Sequence, residues 1–323
     1  MRAMRAEAFT GYSDLKLVDV AKPVRTDGRV LVRITAAGVS PLDHTILSGA
    51  FPFAKAPLIL GNEGAGIVEE PGDSGFAVGA RVMFFGPYGA LENGTYSEWI
   101  AARPEDLCLI PESLDDATAG GAPVAYLTAQ TTLMKAGFEA GKSVLAPAIG
   151  GAVGNAVTQL ARAQGAKYAI STTTNRAKAE QARTLGYENV IDLSSESLSD
   201  GVKRITGGHG VDIVIESVGG ALTGQALSAL ALEGVLITLG YSAGRTATID
   251  LTDLIWKRAR MSGFSLFAQS PAVIAEAWSR ITPLFASQKV KPVLERTYPL
   301  EGAPEALRHL IEDRPFGRVV LTL

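Results

Sequence analysis

KSVLAPAIGGAVGNAVTQLAR, residues 142–162, reads as strand, tight turn and helix. Residues 143–146 are a short apolar run, and Pro147 ends it because proline lacks a backbone donor. Gly150, Gly151 and Gly154 then crowd the turn, and Val153, Val157, Leu160 and Ala161 recur on one helical face. Glycines at such a turn let the main chain approach a pyrophosphate. The helix N-terminus beyond, including Ala152 and Val153, offers free N–H groups and a favourable dipole. The spacing is Ala148-x-x-Gly151-x-x-Gly154, not the commoner G-x-G-x-x-G, so the turn alone suits a purely structural α/β connection equally well. The chain on both sides decides.

From residue 121 onward, strand-like and helical runs alternate. KYAIS (167–171), NVID (189–192), VDIVIE (211–216), GVLITLG (234–240) and MSGFSLF (261–267) follow SVLA as strands, with helical patterns at 177–185 and 222–230. That alternation predicts an α/β fold with a doubly wound parallel sheet. Before it, residues 1–120 read as all β with long loops. Val30, Val32 and Ile34 alternate with Leu31, Arg33 and Thr35, the period of a half-buried strand. Glycines at 61, 64, 66, 72, 75 and 79 punctuate further strands, as in a barrel-like domain. After about 270, a helix near 273–286 and the terminal strand RVVLTL follow, and that strand is free to rejoin the first domain.

The 323 residues suggest two domains, and 47% apolar against 20% charged residues supports sizeable cores. A net charge of −3 and a pI near 5.8 argue against nucleic acid as the main partner. Cys108 is the only cysteine, so neither an internal disulfide nor a four-cysteine zinc lobe is available. No run of about 18 uninterrupted apolar residues predicts a membrane span. The first residues lack an apolar stretch of signal-peptide length, so a cytoplasmic location is expected.

The end of the second strand of the α/β region bears on cofactor choice. An NAD-binding unit usually places Asp or Glu about 20 residues after the glycines, to hold the ribose 2′-hydroxyl. Here Ser171, Thr172, Thr173, Thr174, Asn175, Arg176, Ala177 and Lys178 come first, with no acid before Glu180. Hydroxyls and two cations suit a dianionic 2′-phosphate. Ordinary solvated residues are the alternative, but the helix dipole disfavours cations at a helix start. NADPH is therefore the expected cofactor.

AAGVSPLDHTILSG, GNEGAGIV, GTYSEWIA, PVAYLTAQTTL, AIGGAVGNAVTQLAR, ESVGG and LITLGYSAG, in that order, resemble the medium-chain dehydrogenase/reductase superfamily and, within it, the zinc-independent quinone oxidoreductases. The resemblance implies a GroES-like β-barrel catalytic domain (1–120 and 271–323) and a Rossmann NADPH-binding domain (121–270). It also implies a homodimer joined through the last Rossmann strand. Zinc-dependent relatives place Cys where Ser40 stands and His where Asn62 stands. This chain carries neither ligand, so no metal is expected. Without a Lewis acid, an acceptor that is already electrophilic, such as a quinone or an α,β-unsaturated carbonyl, is the fitting substrate.

The resemblance also implies site residues. Thr128 would lie beside the nicotinamide, and the turn from Gly150 to Gly154 on the pyrophosphate. Thr174 and Lys178 would meet the adenosine phosphate, with Arg176 in support. Val218 and Gly219 would line the adenine or ribose side. Leu239, Gly240 and Tyr241, with Phe264, Ser265 and Leu266, would line the nicotinamide, and Ser40 and Asp43 would sit in a loop facing the cofactor. Quinone reductases often carry Tyr where this chain has Thr45, Phe51 and Leu193. Asp43, His44 and Tyr126 remain as catalytic candidates, each with a bland alternative: a turn cap, a hydrogen-bonded structural histidine, a packed tyrosine. Water can also supply the proton. An enoyl-thioester reductase and a low-turnover NADPH-binding protein, as among lens crystallins, are the competing readings.

Overall fold

The computed structural model describes all 323 residues, which divide into two compact units. The first holds Met1–Ala125, Ser270–Gln288 and Pro292–Leu323, and the second holds Tyr126–Gln269 and Lys289–Lys291.

In the first unit, β1 (Arg2–Ala6) and β2 (Leu15–Asp19) pair antiparallel. After β3 (Val30–Gly38) and α1 (Pro41–Leu47), the short β4 (Leu58–Ile59) completes a sheet ordered β2-β1-β4. β3 centres a larger antiparallel sheet. One edge pairs with β5 (Glu63–Glu70), which continues through β6 (Arg81–Phe85); the other pairs along its first half with β7 (Trp99–Ala102). β8 (Leu107–Leu109) closes that side against β6, and the short α2 (Asp116–Gly120) packs on β3 and β5.

Two expectations for this unit need correction. Leu31 is buried along with Val30, Val32 and Ile34, so on the second face only Arg33 and Thr35 stay partly exposed. And α1 interrupts what composition reads as all β. Its start is local chemistry: Ser40 and Asp43 form a capping box, with Pro41 at the first helical position.

α3 (Pro123–Lys135) leads from Pro123 into the second unit, which follows the expected alternation. β9 (Ser143–Ala146), α4 (Ala152–Ala163), β10 (Tyr168–Thr173), α5 (Arg176–Thr184), β11 (Asn189–Asp192) and α6 (Leu198–Thr206) form one half. β12 (Val211–Glu216), α7 (Ala221–Ser228), β13 (Leu230–Thr238), α8 (Leu251–Lys257) and β14 (Arg260–Gly263) form the other. All six strands are parallel, in the order β11-β10-β9-β12-β13-β14. The order reverses direction beside β9, which makes its carboxyl end the topological switch point where such sheets bind ligands. Leu145, Ile170, Ile191, Val214 and Leu236 fill the sheet's core against Leu198, Val202, Ala226 and Leu227 of the helices. The last strand is shorter than MSGFSLF suggests. It ends at Gly263, and the Phe264 N–H makes a last bond to the Thr238 carbonyl of β13 at 3.0 Å.

α9 (Pro271–Ala286), β15 (Leu294–Pro299), α10 (Ala303–Arg308) and β16 (Arg318–Thr322) belong to the first unit, where β16 pairs antiparallel with the end of β3, Val320 opposite Gly38. The terminal strand does rejoin the first unit. No helix is long and apolar enough to cross a membrane.

Candidate active site

The turn after β9 is built by close approach. Ala148 sits in the left-handed region at φ 66°, and its N–H donates to the Thr172 hydroxyl on β10 at 3.2 Å. Gly154 admits no side chain, because a Cβ there would run into the carbonyl oxygens of Pro147 and Ala148. Gly151 is the N-cap of α4 and has no side chain to cap it. The first N–H groups of α4, on Ala152, Val153 and Gly154, therefore lack a capping acceptor. A pyrophosphate fits this cradle: the walls are main chain, the donors are unused and the dipole favours an anion.

At the end of β10, Ser171, Thr172 and Thr173 are buried and Thr174 is the first exposed hydroxyl. Asn175 caps α5, its Oδ1 accepting from the Lys178 N–H at 3.2 Å. Arg176 extends into solvent and pairs with Glu180 at 3.2 Å. β11 brings an acid that a scan along β10 alone misses. Asp192 is in register with Thr173, and its Oδ1 accepts from the Ser194 N–H at 3.0 Å and hydroxyl at 2.6 Å. Those two hydrogen bonds, helped by Arg183 and Arg176, hold its carboxyl below the usual range.

The ends of β12 and β13 are tied by Glu216, fully buried and without a cation. Its Oε1 accepts from the N–H groups of Val218 at 2.6 Å and Gly219 at 2.8 Å, and its Oε2 from the Thr223 hydroxyl at 2.9 Å. Gly219, at φ 79°, packs against the carbonyl of Gly244. Leu239 donates its N–H to the Glu216 carbonyl at 3.0 Å. Gly240 abuts the Ser217 carbonyl so closely that no Cβ fits. Tyr241 is exposed beneath the Arg245 guanidinium, 5.4 Å from its ring. Phe264 is half-buried, Ser265 exposed and Leu266 buried. Thr128 is buried on α3. Tyr126, also buried, accepts from Gln159 Nε2 at 3.2 Å, which makes it a packed tyrosine with a partner.

The first unit collects the other candidates around α1. Asp43 is buried and accepts four hydrogen bonds: from the Ser40 N–H at 2.9 Å, the Ser40 hydroxyl at 3.0 Å, the Tyr96 hydroxyl at 3.0 Å and the Gly61 N–H at 3.1 Å. Burial raises its pKa while those bonds oppose the rise, and Tyr96 is pushed well above its ordinary value. Asp43 thus acts as a cap and junction, with both oxygens committed inside the fold. The adjacent His44 turns elsewhere, its Nδ1 2.9 Å from the Tyr12 hydroxyl. The same unit holds a buried pair that sequence reasoning missed, Glu63 of β5 and Arg318 of β16.

Two family models match, an alcohol dehydrogenase GroES-like domain over residues 26–113 and a zinc-binding dehydrogenase over 152–283. Human quinone oxidoreductase is 31% identical, over 100% of this chain and 98% of that protein. The chain belongs to the medium-chain dehydrogenase/reductase superfamily, among its quinone oxidoreductase-like members.

This oxidoreductase is also similar, at 32% identity, to erythronolide synthase EryA2 of Saccharopolyspora erythraea, over 94% of this chain and 8% of that one. A mycobacterial structure complexed with NADPH superposes with a TM-score of 0.87 at 28% identity, covering 100% of both chains. The first unit contains the GroES-like fold and the second the Rossmann-like parallel sheet. The second family model is named for zinc, and the residues here do not suit it. Ser40 Oγ lies 3.4 Å from Asn62 Oδ1, so the structure does bring the two positions together, but as hydroxyl and amide. Asp43 beside them is already saturated, and no three His, Cys, Asp or Glu side chains converge anywhere as ligands. Asp192 and Glu63 escaped the sequence reading because their settings come from strand pairing and closure, whereas Glu216 is held locally by Val218, Gly219 and Thr223. The signal available for two of them was an acid inside a glycine-containing strand end, in ESVGG and GNEG.

Proposed function

We propose that this oxidoreductase uses NADPH to reduce a quinone or an α,β-unsaturated carbonyl. The observation that carries the reading is the pairing of an uncapped α4 terminus with a β10 end that offers Thr174, Arg176 and Lys178 rather than an acid. The second unit is read as the nucleotide-binding domain and the first as the catalytic domain. Gly150, Gly151, Ala152, Val153 and Gly154 would hold the pyrophosphate through main-chain donors. Val218, Gly219, Leu239, Gly240 and Tyr241, positioned in part by Glu216, would line the ribose and nicotinamide with Thr128, Phe264, Ser265 and Leu266. When bound, the reduced nicotinamide supplies a hydride, and the acceptor gains a proton as well.

Asp43 keeps α1 and the Gly61 strand end in place and is not poised to donate. His44, partly exposed and paired with Tyr12, is the one titratable group of α1 in touch with solvent. A hydroquinone or enolate also takes its proton from water, so the chain's contribution is placement, worth up to about 7–11 kcal/mol in favourable cases. The hydroxyl and amide at the Ser40–Asn62 position leave carbonyl polarisation to the acceptor itself, which favours electrophilic substrates.

A second reading is reduction of an α,β-unsaturated thioester. NADPH consumption with a panel of quinones, enones and enoyl thioesters separates these. Turnover with quinones or enones well above that with thioesters supports the first. Tight NADPH binding without turnover on any acceptor points to a cofactor-binding role instead.

A homodimer is part of this proposal. All four residues of β14 are exposed and one edge of that strand is unpaired, while Ile255 and Trp256 of α8 expose apolar surface in the same unit.

A further inference from the structure

We infer that Asp192 is a specificity-determining residue that weakens the hold on the adenosine 2′-phosphate and so limits the preference for NADPH over NADH. The inference rests on the cofactor reading above and concerns the same strand end.

The parallel register sets Asp192 beside Thr173, the last residue of β10. Adjacent strands lie about 4.8 Å apart, so the Asp192 backbone stands one strand spacing from the point where Thr174, Arg176 and Lys178 begin. Its main bonds are internal. Ser194 donates N–H and O–H to one carboxylate oxygen, and Ser195 and Glu196 donate their N–H groups to its carbonyl. This fixes the charge at the β11 end. The cations at this edge, Arg176 and Arg183, act on that charge, and Arg176 is also engaged by Glu180. A dianionic phosphate arriving here meets cations already partly neutralised by two carboxylates. Only one of these, Asp192, is held rigidly; Glu180 and Arg176 are both exposed and free to part. A 2′-hydroxyl carries no charge and is not repelled by Asp192. The residue therefore acts on one cofactor and not the other.

The test uses the full-length protein and two fragments that carry the distinction without nicotinamide, 2′,5′-ADP and 5′-AMP, alongside NADPH and NADH, with affinities from titration calorimetry. Asp192→Asn removes the charge and keeps an oxygen for the Ser194 N–H. It is expected to tighten 2′,5′-ADP and NADPH by about three- to tenfold at low salt, with 5′-AMP and NADH changed by less than about twofold. The gain should shrink as salt is raised, because Thr174, Arg176 and Glu180 at this edge are exposed even though Asp192 itself is buried. Ser194→Ala loosens the carboxylate but keeps its charge, and should leave the ratio of the two fragments near the wild-type value. An Asp192→Asn protein that binds both fragments as wild type does, or that tightens both equally, overturns the inference. The wild-type ratio of NADPH to NADH affinity tests the cofactor reading separately. If wild type prefers NADH, that reading fails, while a selective gain for 2′,5′-ADP in Asp192→Asn still upholds the role of Asp192.

Discussion

Arg318, the first residue of the last strand, is ion-paired with Glu63 on β5, and both side chains are buried. The pair joins three segments. Arg318 Nε donates to the Gly121 carbonyl at 2.7 Å, and Glu63 Oε2 accepts from the Val124 N–H at 2.7 Å, at the start of α3. Gly38 on β3 leaves the space that Glu63 fills, since a Cβ there would sit inside its side chain. A chain whose last strand holds the entry to α3 in this way is sensitive to its C-terminus.

The pair sets a pH dependence. Burial outweighs the attraction of Arg318 and the Val124 N–H, raising the Glu63 carboxyl from 4.5 to about 7. The folded protein then binds a proton that the unfolded chain has released. The stabilisation is full below about pH 4.5 and is lost as pH rises through about 7. Over that window Glu63 contributes a fall of about 1–3 kcal/mol. Glu63→Gln should flatten the slope of unfolding free energy against pH in urea titrations. An unchanged slope between the two proteins would refute the assignment. Arg318→Ala leaves the carboxyl buried without its cation and is expected to destabilise by about 3–5 kcal/mol near neutral pH.

Gly154→Ala tests the cradle. The added methyl meets two carbonyl oxygens of the turn, so the turn must open. We expect a loss of about 1–3 kcal/mol in stability from overpacking, and at least a tenfold weaker Kd for NADPH by fluorescence titration. Ala152→Gly, two residues away at the start of α4, adds no atom to the turn; it is the control and should bind within about threefold of wild type. Equal binding by all three proteins would show that the turn does not touch the cofactor.

Zinc chemistry gives a simpler prediction. With hydroxyl and amide at Ser40 and Asn62, the purified protein should hold far less than one zinc per chain, and chelators should leave turnover unchanged. Elemental analysis showing stoichiometric zinc that is lost together with activity would sink it. The lone Cys108 does not alter this expectation, since burial pushes its thiol up to about 12 and keeps it protonated.

How far the sequence carries depends on whether the cause is local. The strand, turn and helix at 142–162 were readable because Pro147, the glycines and the 3.6-residue period all act within a few positions, and β9 and α4 follow them closely. The start of α1 was equally local: Ser40, Pro41 and Asp43 spell a capped helix, yet the surrounding strands drew attention to β. Asp192 was invisible because its relevance comes from strand pairing. Relative to the glycines it is far down the chain, while in the sheet it is Thr173's neighbour. Glu63 and Arg318 stand at opposite ends of the chain, and only closure of β16 onto β3 brings them together. Burial of Leu31 is of the same kind, a property of what covers β3 rather than of its own alternation.

Cofactor choice brings the strand-end residues to one measurement. A charge-assisted hydrogen bond contributes about 1.5–3 kcal/mol. At about 1.4 kcal/mol per decade, one such contact to a 2′-phosphate gives roughly a ten- to hundredfold preference for NADPH. Lys178→Ala should weaken NADPH and leave NADH nearly untouched. Arg176→Ala should do less, because Arg176 is exposed and already shared with Glu180, and the double change should fall short of the sum because both cations would serve one phosphate. An acid placed to invert the preference belongs at Thr174. Thr172 and Thr173 follow the same chemistry in sequence but are buried, and the Thr172 hydroxyl holds the Ala148 N–H, so a carboxylate there would disturb the turn itself. Thr174→Asp should therefore lower kcat/KM for NADPH at least tenfold while raising or keeping that for NADH, with one quinone fixed throughout. Thr172→Asp should depress both. If Thr174→Asp and Thr172→Asp behave alike, or if Lys178→Ala lowers both cofactors equally, the exposed end of β10 is not where the phosphate is read.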